Sequence, residues 1–170
     1  MIEIQIANRQ DVLQFDPARL EACALKILQA EGPENCELSL AVVDDETIHQ
    51  VNRDFLEHDY PTDVISFVLD QSDGTLEGEI VASADTAIAE AARYGWNPED
   101  ELLLYITHGT LHLVGYDDQT PEAKAEMRKR ERHYLAEFGL TPPQIELESE
   151  PHNSHRPGDD PIVNAGATQR

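Results

Sequence analysis

Cysteine is scarce in this chain: Cys23 and Cys36 are the two present in 170 residues, and they form neither a CxxC pair nor a dense framework. That scarcity excludes a disulfide-stapled scaffold and indicates no redox role. In a chain without an export signal, such cysteines read as small buried hydrophobes. An apolar run long enough to cross a bilayer is also lacking, and the opening MIEIQIANRQ has neither a basic n-region nor an apolar stretch. The expectation is a soluble, cytoplasmic protein with no membrane partner. Positive charge is the third shortage, with 12 Lys and Arg against 34 Asp and Glu, a formal net charge of −22. Such a surface repels polyanions at long range, which argues against general coating of nucleic acid and against DNA as a partner. A local basic patch is still compatible with that balance.

What is present suits one hydrophobic core, since 40% of the 170 residues are hydrophobic, and the expectation is a single domain plus a tail. Ile2, Ile4 and Ile6 alternate with polar residues, as in a half-buried strand. Asp16-Pro17 supplies an N-cap and a first-turn proline for a helix running towards Gly32, with Leu20, Ala24, Ile27 and Leu28 on one face. A strand is expected from about Glu37 to Val43. Asp44 or Asp45 then caps a helix carrying Ile48, Val51 and Phe55, which the proline and acids of EHDYPTD interrupt. Val64 to Leu69 reads as a buried strand, DQSDGT as a turn and LEGEIVAS as the hairpin partner. Ser83 opens an alanine-rich helix that stops near Gly95. Asn97-Pro98-Glu99-Asp100 opens another, with a capping side chain, a proline and two acids at the positive dipole end, running to about Val114 where Gly115 ends it. Thr120-Pro121 starts the last helix, which carries KAEMRKRER and finishes at Gly139. The order βαβαββααα predicts a compact α/β (α+β) domain over residues 1–140 with a mixed sheet of about four strands. Residues 141–170, rich in proline, glycine, asparagine and acids without periodicity, predict a disordered tail.

The stretch THGTLHLVGYDD, residues 107–118, is where chemistry can be read. Helix residues four apart share a face, so His108 and His112 project side by side and their imidazoles can reach one ion. Gly115 can take a positive φ and turn the chain back, so that Asp118 can meet the same ion from the loop. The pattern H-x-x-x-H-x-x-G-x-x-D has the spacing of the extended zinc-hydrolase motif, in which a helix gives two histidines and the chain after a glycine turn gives a third ligand. One position differs: where the peptidases carry a glutamate as general base, this chain has Gly109. Either a bound metal alone lowers the pKa of water, or the substrate or another side chain takes the proton. Spacing alone leaves a second reading open, in which both histidines are interior helix residues satisfied by backbone or carboxylates. Of the others, His49 and His133 read as surface or cap residues and His152 and His155 as solvated residues of the tail.

HGTLHLVGYDD resembles the hallmark HGxLHLxGYDH of the YbeY family, metal-dependent endoribonucleases and ribosomal RNA maturation factors. PTDVISF at 61–67 is similar to the family's PTDVLSF, LEGEIVAS to its LGDIVIS segment, and MRKRERHYLAEFGL to its closing helix. The likeness covers residues 1 to about 140. It implies a compact α/β domain with one zinc ion held by His108, His112 and Asp118, and a cleft in which RNA is cut. The activity implied is zinc-dependent and single-strand-specific, acting in maturation of ribosomal RNA, in 3′-end processing of the small ribosomal subunit and in ribosome quality control.

Two positions depart from that family. Asp118 stands where most members have histidine. Two imidazoles and one carboxylate form an accepted open zinc set, but the carboxylate leaves the ion less electrophilic than three neutral rings would. Leu56 stands where the family has an arginine implicated in RNA cleavage, and neither Arg53 nor His58 inherits that role by alignment; no catalytic side chain is assigned beyond the ligands. Asp117 matches the family's own acid and reads as a turn residue or as a partner orienting a ligand. Thr62 and Asp63 are expected to shape the cleft. The cluster Lys124, Arg128, Lys129, Arg130 and Arg132 is either a solvated helix face paired with Glu122, Glu126 and Glu131 or a substrate contact, with Arg128, Lys129 and Arg130 the candidates against RNA. Two other functions fit: a non-catalytic zinc-containing ribosome-assembly factor, which the missing arginine favours, and a metal-dependent hydrolase of amide or ester bonds, against which Gly109 argues.

Overall fold

A computed structural model describes residues 1–143 and 167–169. In chain order the elements are β1 (Ile2–Asn8), α1 (Pro17–Glu31), β2 (Asn35–Val43), α2 (Asp45–Leu56), β3 (Val64–Ser72), β4 (Thr75–Ser83), α3 (Ala84–Tyr94), α4 (Pro98–Leu113), α5 (Pro121–Ala136) and β5 (Ala167–Gln169). The order βαβαββααα is the expected one. The short β5 was not expected, and the rest of the expected tail beyond 143 lies outside the described residues.

The sheet runs β1-β2-β4-β3-β5. β1, β2 and β4 are mutually parallel, while β3 and β5 run antiparallel to their neighbours. β3 and β4 extend further towards each other than DQSDGT suggested. The turn shrinks to Asp73 and Gly74, both at positive φ (50° and 76°), as a two-residue Asp-Gly hairpin requires. The helix starts follow their caps: Asp16 accepts from the Ala18 amide, Asp44 from Thr47, Ser83 from Thr86, Asn97 from Glu99 and Thr120 from Ala123. Asp44, rather than Asp45, is therefore the cap of α2.

Strand alternation divides the apolar residues between the two faces of the sheet. Leu38, Leu40, Val42, Val64, Leu76, Ile80 and Ala82 join α1, α3, α4 and α5 in the large cluster. Val43, Ile65 and Val81 point the other way and meet Ile48 and Leu56 of α2 in a small one. α4 lies in the middle of the large cluster, with every residue from Glu101 to Leu113 buried, as befits a helix packed on all sides. No helix among the described residues is long and apolar enough to cross a membrane.

Candidate metal centre

Two glycines let α4 and the sheet approach closely. A Cβ on Gly109 would lie 2.9 Å from Ser66 Oγ and 3.1 and 3.2 Å from carbons of Ile80, and one on Gly78 would lie 2.8 Å from the Leu113 side chain. The Ser66 hydroxyl uses the approach, donating to the Gly109 carbonyl at 3.1 Å. Position 109, where the peptidases place their general base, thus faces β3 and β4 with no room for a glutamate.

The preceding residue, His108, turns away from that contact towards α5. Its Nδ1 lies 2.5 Å from Oε1 of Glu131, while Nδ1 of His112 lies 2.9 Å from the Tyr116 carbonyl. A carboxylate and a carbonyl can only accept, so each Nδ1 carries the proton and each Nε2 is left with its lone pair. His108, His112 and Glu131 are 3%, 9% and 5% exposed, so the tautomers are set away from water.

Asp118 closes the group. After α4, Gly115 takes φ 108°, and the Tyr116 amide bonds back to the Leu111 carbonyl at 3.1 Å, reversing the chain. Asp118 Oδ2 then lies 3.6 Å from His108 Nε2 and 3.7 Å from His112 Nε2, and the three ligand atoms lie within 4.8 Å of one another. Both distances are too long for hydrogen bonds and close to the ~3.4 Å separating two ligands that sit about 2.1 Å from a tetrahedral ion. His112 Nε2 is buried without a hydrogen-bond partner. A shared cation fits these lone pairs and the facing carboxylate, and the donor set suits zinc. Burial pushes the Asp118 carboxyl up, but His112, His108 and Lys124 together outweigh it and hold the group below its ordinary range.

Asp117 points elsewhere: it is exposed, and its Oδ1 accepts from the Gln119 amide at 3.2 Å, as a turn residue does. Tyr116 between the turn and the ligand is tied down. Its hydroxyl donates to Glu31 Oε1 at 3.1 Å, Arg130 pairs with the same carboxylate, and the guanidinium lies 5.9 Å from the Tyr116 ring and 5.4 Å from that of Tyr134. Of the three basic candidates against RNA, Arg130 is therefore engaged within the fold, Arg128 is half-buried and Lys129 is exposed.

Glu131 is the member of the centre that sequence reasoning missed, having placed it among surface ion pairs. Its signal was available: Met127, Glu131, Tyr134 and Leu135 form the buried stripe of α5, so an acid occupied a core-facing position. Leu56 is 2% exposed in the small cluster on the face of the sheet opposite α4. Arg53 pairs with Asp54 at 3.7 Å, and His58 stacks on Tyr60, ring centroids 5.5 Å apart. Thr62 is buried, and Asp63 accepts from the Val64 amide at 2.8 Å, fixing the entry to β3.

The family model described as Endoribonuclease YbeY matches residues 5–139. Proteins named Endoribonuclease YbeY include one from Rhodopirellula baltica, 44% identical over 133 residues that cover 77% of this chain and 69% of that protein. Another, from Chloroflexus aurantiacus, is 37% identical over 150 residues, covering 82% of this chain and 96% of its own length. A Thermotoga maritima protein solved in solution has a similar fold, with a TM-score of 0.56 at 23% identity, covering 88% of this chain and 99% of that one.

Proposed function

The chain belongs to the YbeY family, and from that premise we propose that it is a zinc-dependent, single-strand-specific endoribonuclease acting in maturation of ribosomal RNA. Its work would lie in 3′-end processing of the small ribosomal subunit and in ribosome quality control, in the cytoplasm. The observation that carries the reading is the set of His108 Nε2, His112 Nε2 and Asp118 Oδ2, two buried histidines and a half-buried acid spaced for one ion. His108, His112 and Asp118 would hold zinc, whose chemistry there is to polarise a phosphoryl oxygen and to lower the pKa of water for in-line attack. Three protein ligands leave a position open for that purpose. The chain's own contribution is orientation: Glu131 and the Tyr116 carbonyl keep both Nδ1 atoms protonated, and the Glu31–Arg130 pair steadies the turn that carries Asp118. Lys129 and Arg128 are the cations left to meet phosphates, a smaller set than the sequence offered.

Leu56 favours one second reading, a zinc-containing assembly factor that binds the small subunit without cutting RNA. An apolar side chain sunk beneath α2 cannot clamp a phosphate. The amide or ester hydrolase loses its usual base, because position 109 faces the sheet. The test uses purified full-length protein with a labelled single-stranded RNA and, in parallel, small ribosomal subunits. The nuclease reading expects cleavage that is lost on chelation, restored by zinc and absent in His112→Ala. Subunit binding by a zinc-loaded protein that leaves RNA intact would replace it with the assembly-factor reading.

A further inference from the structure

Asp118 brings a full negative charge to a centre whose other two ligand atoms are the Nε2 lone pairs of His108 and His112. A carboxylate among the ligands leaves an ion less electrophilic than neutral rings alone would. A cation held beside that carboxylate offsets the loss. The side chain of Asp118 is 14% exposed, so solvent screens little of a neighbouring charge.

α5 addresses this centre from two places. Glu131 reaches His108 from within the helix, and the N-cap Thr120 lies two residues after Asp118. Lys124 stands seven residues before Glu131, which on an α-helix is two turns less about 20°, so it lines up with the buried stripe of Met127 and Glu131. The rise between Lys124 and Glu131 is about 10 Å, towards the Asp118 end. The Lys124 amide bonds to the Thr120 carbonyl at 2.9 Å, which fixes the residue in the first closed turn, and it is half-buried. Of the other cations on α5, Arg130 is engaged by Glu31, while Lys129 and Arg132 are exposed. Burial pushes the Asp118 carboxyl up, and His112, His108 and Lys124 act against it. Both histidines present neutral lone pairs, so Lys124 is the formal positive charge of those three.

We propose that Lys124 is a positioning residue of the metal centre, acting through Asp118: its ammonium offsets the negative charge of that ligand and restores the positive potential that a phosphate-bearing substrate needs. This role rests on the reading of His108, His112 and Asp118 as zinc ligands, and it holds for whichever RNA is bound. Direct phosphate contact stays with Lys129 and Arg128. One charge then has two consequences of opposite sign. An ammonium repels a divalent cation, so Lys124 weakens zinc binding, while the same charge draws an anion to the loaded site. A lysine that merely braced Asp118 would act in reverse on zinc, because its loss would loosen a ligand.

The test titrates zinc into the full chain against a chromophoric chelator at constant neutral pH, then titrates inorganic phosphate into the zinc-loaded chain by calorimetry. Lys124→Gln should bind zinc several-fold more tightly and phosphate several-fold more weakly, and both differences should shrink as salt is raised. Lys124→Arg keeps the charge and should hold both affinities near those of the unsubstituted chain. Arg132→Gln, at an exposed cation of the same helix, removes the same net charge and should move neither. Thermal melts of the metal-free variants should coincide with that of the unsubstituted chain, which keeps folding out of the comparison. If the unsubstituted chain binds zinc and Lys124→Gln binds it equally or less tightly, the role of Lys124 is overturned and the metal centre stands. Phosphate binding that is absent, or that Lys124→Gln leaves unchanged, overturns it in the same way. An unsubstituted chain that binds no zinc would instead refute the centre itself, and this role with it.

Discussion

Glu131 is the residue whose removal most directly tests the architecture of the metal centre, because it touches a ligand without being one. Its Oε1 lies 2.5 Å from His108 Nδ1, with the histidine 3% and the acid 5% exposed. Carboxylates in that position fix the imidazole's tautomer and raise its basicity, and losing one costs about 10- to 100-fold in metal affinity, or about 1.4 to 2.7 kcal/mol. Glu131→Gln keeps an oxygen that can accept from Nδ1 and removes only the charge, so the lower end, about tenfold, is expected. Glu131→Ala removes the acceptor as well. It should approach about 100-fold and also destabilise the metal-free protein by about 1–3 kcal/mol, the cost of a buried donor left without a partner. Zinc titration against a chromophoric chelator at constant pH gives the first quantity and urea unfolding of the metal-free variants the second. Glu126→Gln, an exposed acid on the same helix, controls for net charge. If both Glu131 variants bind zinc as the unsubstituted chain does, the carboxylate does not orient His108 and the reading of the centre is wrong.

Gly109→Ala should lower stability by about 1 kcal/mol, because overpacking against Ser66 and Ile80 costs about 1–3 kcal/mol and helix propensity returns about 1; Gly109→Glu should be far worse, and a urea midpoint unchanged in both would refute the close contact. Asp118 is held below its ordinary range by His112, His108 and Lys124 against the opposing effect of burial. In metal-free protein its stabilisation is therefore present above the unfolded value of about 3.9 and lost as pH falls through the lower folded value. Asp118→Asn should flatten that acid limb of stability against pH, and coincident limbs would sink the assignment. Burial, partly opposed by the Thr107 hydrogen bond, raises the Cys23 thiol to about 11, so it should resist a disulfide reagent at neutral pH until denaturant is added; prompt reaction of two thiols in the native chain would contradict its burial.

What could be read in advance depended on whether the physics was local. Helix starts were legible because a cap is a contact within three residues: Asp16, Ser83, Asn97 and Thr120 each accept from an amide two or three positions on. The two histidines and Asp118 were legible for the same reason, since a helix face and a glycine turn bring them together without help from distant chain. Glu131 was not, because its role exists only where α5 crosses α4, and a run of alternating acids and bases hid the one acid on the core-facing stripe. β5 was not legible either, because it exists only through its pairing with the distant β3, which no local pattern states. Gly109 shows the limit most clearly. From spacing it was an absent general base, a statement about chemistry. In the fold it is the contact surface between α4 and the sheet, where a Cβ would lie 2.9 Å from Ser66 Oγ. A helix seated this deeply could offer an ion its histidines but has no room for a base at position 109 beside them. For the proposed hydrolysis, a proton acceptor would then have to come from the substrate, from water, or from a residue elsewhere in the fold that reaches the site.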